Sequence, residues 1–279
     1  MSTQKTFSST LESVSQTNEE AELRPDIRNK VLLSLRPEAQ LFLRERLVTR
    51  PISVGEVIFD DGEPLTHAVF PNEGVISYMA EMEDGRSVEK ASIGLEGFVG
   101  FALVMGGGNA VGRSLVQVAG SASWLSIDDL NAAHERFICV REAMLRYSKS
   151  LIVQLMESVA CNSLHTAEQR VARWLLQTLD RVPGDTFVLT QEALSQVLGL
   201  RRATVSGICS ELQDAGIITY HRGTMTICDR AALEERTCEC YWRVLDASLL
   251  GDQGGDGVTP ARSRIADRRS RGIFRRRGY

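Results

Sequence analysis

The stretch TQEALSQVLGLRRATVSGICSELQDAGII, Thr190 to Ile218, carries two apolar patterns of helical spacing separated by a glycine. Thr190 is suited to cap a helix, and Glu192 falls in the first turn, where the helix dipole favours negative charge. This predicts a two-turn helix over Gln191–Leu198. Gly199 supplies a left-handed turn. Val205, Ile208 and Leu212, three and four residues apart, then place one side of a second helix, Arg201–Gln213, against a core. Leu194 is a further inward anchor, and the small Ser195 permits a close helix crossing. Such a pair is either a plain helical hairpin with solvated arginines or a helix-turn-helix. The short β runs around Gly216 and Tyr220-His221-Arg222-Gly223 read as a hairpin wing, which favours the second.

In a helix-turn-helix the N-terminal residues of the second helix lie nearest the base edges of the major groove. Arg202 has the planar fork that pairs with guanine O6 and N7. Arg201, Thr204 and Ser206 are suited to phosphate contacts, which fix register without carrying sequence information. Arg222, on the wing, is placed for the flanking backbone, and Thr190, Gln191 and Ala203 complete the expected DNA-binding set.

The surrounding chain has 279 residues, 43% of them hydrophobic, and a formal charge of −4. That charge is uneven. Residues 261–279 hold eight arginines and one aspartate, leaving −11 for the remainder, so bulk charge gives the folded body no nucleic-acid signature and the case rests on the local motif. No apolar run is long enough to span a bilayer, and the first residues lack the apolar centre of a secretory signal. A cytoplasmic protein with no membrane partner is expected.

Residues 1–24, rich in Ser, Thr, Gln and Glu, read as a flexible arm. Leucines and valines from Ile27 to Leu47 suggest short helices broken at Pro37. From Pro51 to Ile127, β-branched runs alternate with turns such as Asp61-Gly62 and Asp84-Gly85, the pattern of a small antiparallel roll filled by Val57, Phe59, Val69, Ile76, Val116 and Trp124. The roll domain is set at 25–127. Residues 128–162 read as one long helix with Ile138, Leu145, Ile152 and Val159 recurring every seven residues, flanked by Phe137, Met144 and Leu151. A single small roll does not cover both stripes, so Ile138, Met144, Leu145, Leu151, Ile152 and Val159 are expected to form a homodimer interface. A hinge at Asn162-Ser163 leads into a winged helix-turn-helix domain over 163–250. Residues 251–279 read as a disordered arginine-rich tail that adds non-specific DNA affinity. The fold class is α+β.

This order of elements, over about Ile27 to Leu250, resembles the Crp/Fnr family of bacterial transcription regulators, with TQEALSQVLGLRRATVSGICSELQDAGII as its strongest match. The resemblance implies a cyclic-nucleotide-binding-like roll, a long dimerisation helix and a winged helix-turn-helix acting as a dimeric, sequence-specific DNA-binding regulator, with RNA polymerase as a further candidate partner. Better-known members carry glutamate and arginine where this chain has Ala203 and Gly207, so a different operator is expected. In nucleotide-binding members a Gly-Glu-Leu-Gly turn holds the ribose and a later Arg-Ser the phosphate. The corresponding residues here are Gly97, Phe98, Gly100, Arg113 and Ser114, with Phe98 in place of the ribose acid. The effector is therefore left unidentified, and cAMP is not expected.

All six cysteines lie from Cys139 onward, which removes an N-terminal iron-sulfur sensor of the kind found in the family. Cys238 and Cys240 are metal-ligand types, but no further ligand stands at useful spacing, and the four histidines form no ligand pair. No metal and no cofactor are expected. Nothing resembles a nucleophile elbow, a phosphate-binding loop or an HExxH helix, so an enzyme is not expected. The competing reading is a cyclic-nucleotide-binding module whose C-terminal segment docks protein rather than DNA.

Overall fold

A computed structural model of the chain describes residues 27–249; the arm over 1–24 and the tail over 251–279 lie outside the described residues. Asn29 opens the fold by capping helix α1 (Lys30–Leu33), its side chain accepting from the Val31 and Leu32 amides, while its amide group donates to Pro71 and Gly97 carbonyls at 2.8 Å. Pro37 begins helix α2 (Pro37–Arg44) rather than merely breaking a helix, since the first helical position needs no amide proton.

Five antiparallel strands follow: β1 (Val48–Ile52), β2 (Val57–Phe59), β3 (His67–Glu81), β4 (Ser87–Ile93) and β5 (Arg113–Ser126). Their order is β1-β5-β3-β4, with β2 also on β5. Phe59, Val69, Ile76 and Val116 are buried as expected, whereas Val57 and Trp124 are only half-buried. The Arg50 guanidinium lies 3.9 Å from the Trp124 ring centroid, so that ring closes the roll's rim instead of filling its centre.

The helical region expected over 128–162 is two helices, α3 (Ile127–Arg136) and α4 (Ile138–Leu164), separated where Phe137 adopts extended backbone. Helix α4 divides its apolar residues between two bodies. Met144 and Leu151 are 1% and 2% exposed in the roll core. They are therefore withdrawn from the dimer face, because the chain's own roll already covers them. Ile138, Leu145, Ile152 and Val159 remain 42–70% exposed.

Helix α4 ends at Leu164, just past the expected hinge, and a Thr166–Gln169 capping box starts α5 (Ala167–Leu179). Then come β6 (Thr186–Val188), α6 (Gln191–Leu198), α7 (Arg202–Asp214), the hairpin β7 (Ile218–His221) and β8 (Thr224–Ile227), α8 (Arg230–Arg236) and α9 (Glu239–Leu249). Trp174, Leu175, Leu194, Val205, Leu212 and Ile218 form the core of this unit, and Val75 and Val118 of the roll join it. Among the described residues no helix is long and apolar enough to cross a membrane.

Candidate nucleic-acid interface

Thr190 Oγ1 accepts from the Ala193 amide at 3.0 Å and starts α6, and Gly199 at φ 59° and ψ 36° ends it. A side chain at that φ would be strained. The chain then turns so that Arg201 is the N-cap of α7 and Arg202 its first residue. Val205, Ile208 and Leu212 are buried, as is Ser195 at the crossing. The rest of the first turns points outward: Arg201, Arg202, Ala203, Thr204 and Ser206 are all exposed.

Arg202 has a side chain 73% exposed and a loose ion pair with Glu192 at 3.8 Å. Such a surface pair contributes about 0–1 kcal/mol, so a nucleic-acid contact displaces it readily. The wing turns at Arg222 and Gly223, both with positive φ (49° and 82°), as a two-residue antiparallel hairpin prefers. Arg222 is thereby exposed at the wing tip. Thr190 is exposed and Gln191 half-buried.

Arg201, Arg202 and the α6–α7 turn line one wall of a cleft of about 650 Å³ whose other wall is the β3–β4 hairpin, from Met82 to Val88. The winged unit is held there by buried polar contacts. Arg181 donates to Glu96 at 2.6 and 3.2 Å and to Ser92 Oγ at 2.7 Å. Trp174 Nε1 donates to Glu89 at 3.2 Å, and Ser77 hydrogen-bonds the same carboxyl. Burial raises the Glu89 carboxyl above its ordinary value, against the opposing effects of Ser77, Trp174, Arg181 and Arg173. The contacts of Arg181 and Trp174 join residues 85 or more apart, and no spacing in the sequence marks them.

The expected effector residues do not converge on one pocket. Phe98 is fully buried, its ring 5.6 Å from Phe70 and 5.2 Å from Tyr147. Gly97 lies under Tyr147 so closely that a Cβ would stand 2.1 Å from the ring. Gly100 donates its amide to Tyr78 Oη at 3.1 Å, and burial pushes that phenol up to about 12. Gly100 and the buried Ser114 border a crevice too tight to admit even a water molecule, whereas ligand pockets begin at roughly 300 Å³. Arg113 is bound to Glu81 at 2.8 Å and Asp60 at 3.2 Å. Those hydrogen bonds and charges raise its pKa.

The expectation that Cys238 and Cys240 lack further ligands is corrected. Helix α9 folds back on α4 and brings them to Cys161 and His165, with the four ligand atoms within 4.8 Å of one another. The partners were hidden because they lie 75 and 77 residues away. The only local sign was that Cys161 and His165 are four residues apart, hence on one face of a helix.

Comparison with known proteins agrees with this architecture. Residues 169–236 match the Crp-like helix-turn-helix domain family. The chain is 26% identical over 199 residues to the anaerobic regulatory protein of Pasteurella multocida, covering 67% of this chain and 70% of that one. FixK2 from Bradyrhizobium japonicum superposes with a TM-score of 0.57 at 18% identity, over 69% of this chain and 98% of its own. The c-di-GMP responsive global regulator CLP of Xanthomonas campestris gives 0.53 at 15%, over 70% and 100%.

Proposed function

We propose that the chain, whose residues 169–236 match the Crp-like helix-turn-helix domain family, is a transcription regulator of the Crp/Fnr type that reads a two-fold related operator as a homodimer. The observation that carries this reading is the outward set Arg201, Arg202, Thr204 and Ser206 at the start of α7, with Arg222 on the wing. Arg202 is the base reader and the others position the backbone. The dimer is formed by Ile138, Leu145, Ile152 and Val159 of α4, joined by the exposed Met156.

The cleft beside the β3–β4 hairpin adds a condition. A recognition helix must enter a groove about 12 Å wide, and in this arrangement the first turn of α7 faces the roll. The winged unit therefore swings away from the hairpin, pivoting near His165–Thr166, before it reads DNA. The contacts of Arg181 and Glu89 oppose that motion.

Fluorescence anisotropy with labelled duplexes at several salt concentrations tests the reading. Phosphate neutralisation makes the affinity fall steeply as salt rises. Retention of wild-type affinity after Arg201, Arg202 and Arg222 are all changed to Ala would contradict it.

A further inference from the structure

We propose that Cys161, His165, Cys238 and Cys240 bind one zinc ion, and that this closed site clamps the C-terminal helix to the end of the long helix, beside the pivot of the winged unit. Zinc prefers four tetrahedral ligands, with bonds of about 2.3 Å to thiolate sulfur and about 2.0–2.1 Å to imidazole nitrogen. A tetrahedron with those bonds has sulfur–sulfur edges of about 3.8 Å and sulfur–nitrogen edges of about 3.6 Å. The Cys161 and Cys238 sulfurs are 3.6 Å apart, and Cys240 Sγ is 3.6 Å from His165 Nδ1. A disulfide requires about 2.05 Å and uses only two of the three thiols. The three cysteines are at most 1% exposed, so the set offers no open coordination position to substrate, which is the character of a structural site.

The surroundings fit the same ion. His165 turns Nδ1 toward the sulfurs and Nε2 toward Glu239, whose carboxylate is 3.2 Å away. A carboxylate on the far nitrogen is the usual means of fixing a ligating histidine's tautomer and orientation. Three thiolates and one neutral imidazole around Zn²⁺ leave one net negative charge. Arg170 and Arg173 lie within electrostatic reach of Cys161, and the buried Nε of each donates to no group among the described residues. Thr237 Oγ1, beside Cys238, is likewise buried without such a partner. Glu157, which approaches Cys240, is itself paired with Arg243 at 3.4 Å. Binding exchanges three thiol protons for the metal and changes no oxidation state, so affinity falls as the pH is lowered.

The site's position gives it a mechanical role. Cys161 lies in the last turn of α4 and His165 caps it, Cys238 is in the turn before α9 and Cys240 in the first turn of α9. One ion thus ties both ends of the winged unit to the dimer helix.

The full chain, purified under reducing conditions without chelator, is analysed for metal by plasma mass spectrometry, then stripped and titrated with Co²⁺. The expected results are one zinc per chain and, on cobalt addition, the visible bands of tetrahedral thiolate coordination, bleached by one equivalent of Zn²⁺. Glu239→Gln should weaken binding about 10–100-fold, and Cys161→Ser or Cys238→Ser more. His165→Cys, which keeps four ligands, and Cys228→Ser, at an exposed cysteine outside the set, should retain the ion. Chelation should lower the Tm of the wild type and leave that of Cys238→Ser unchanged. A reduced wild type that is folded by circular dichroism yet holds no zinc and gives no cobalt bands would overturn the proposal, whatever the variants do. Iron-sulfur absorption in the isolated protein, or a Cys161→Ser variant with full zinc content, would overturn it equally.

Discussion

Arg113 in the roll and Arg202 in α7 stand at the two positions that the resemblance to the Crp/Fnr family marks for anionic ligands, and their surroundings differ. Arg113 is gripped by Glu81 and Asp60, while beside it Phe98 and Tyr147 fill the turn that would hold a ribose. A phosphate arriving at Arg113 must displace two carboxylates, and the neighbouring crevice at Gly100 and Ser114 is too tight for the rest of a nucleotide. Arg202 has one loose partner, Glu192, and an exposed side chain. The chain thus leaves Arg202 loosely held, though facing the roll across the cleft, and its nucleotide-like pocket closed, so control of the regulator is expected to act on the contacts that dock the winged unit to the roll.

Arg202 reads an operator tightly only if the dimer presents it twice. Leu145→Glu with Ile152→Glu, both on the exposed stripe of α4, should give monomers by sedimentation and reduce operator affinity to the non-specific level, a loss of about 4–10 kcal/mol. Arg202→Ala comes next. It should cost about 1–3 kcal/mol per half-site and relax one base in each, and twice that if the half-sites act independently. Arg201→Ala should instead weaken all sequences alike, as competition binding with single-base operator changes would reveal.

The docking contacts predict a pH effect. Because burial raises the Glu89 carboxyl in the folded protein, the folded state holds that proton more tightly than the unfolded chain. Its contribution is present below the unfolded carboxyl value and is lost as pH rises through the folded one. Glu89→Gln keeps acceptors for Ser77 and Trp174 without the charge. It should raise Tm at pH 7 and flatten the pH dependence, the difference from wild type vanishing below about pH 4. In binding assays the same variant should lower DNA affinity, since it strengthens the docked form. The smallest effect is expected at Arg113. Arg113→Gln should change stability by less than about 1 kcal/mol, as for other exposed pairs, and leave DNA affinity unaltered; tight cAMP binding that this substitution removes would contradict the closed pocket.

Much of this was legible from local signals. The Thr190 cap, the Gly199 turn and the inward Val205, Ile208 and Leu212 each act within a few residues, and each appears as read. Asp61-Gly62 and Asp84-Gly85 likewise marked turns whose glycines take positive φ. The two stripes of α4 were visible, but periodicity identifies an apolar face without saying which body covers it. Met144 and Leu151 belong instead to the core of the chain's own roll. The Arg181–Glu96 tie and the meeting of Cys161 with Cys238 depend on how whole elements pack, and the residues involved are 85 and 77 positions apart.

The central claim, that a dimer reads paired half-sites through Arg202, is tested most directly by selecting bound sequences from a random DNA pool with the wild type and with Arg202→Ala in parallel. The wild type should enrich a two-fold symmetric site with half-sites about 34 Å apart, one helical turn, and the variant should lose the preference at one base per half-site while keeping the symmetry. Enrichment of an asymmetric site, or identical base preferences in the two proteins, would contradict it.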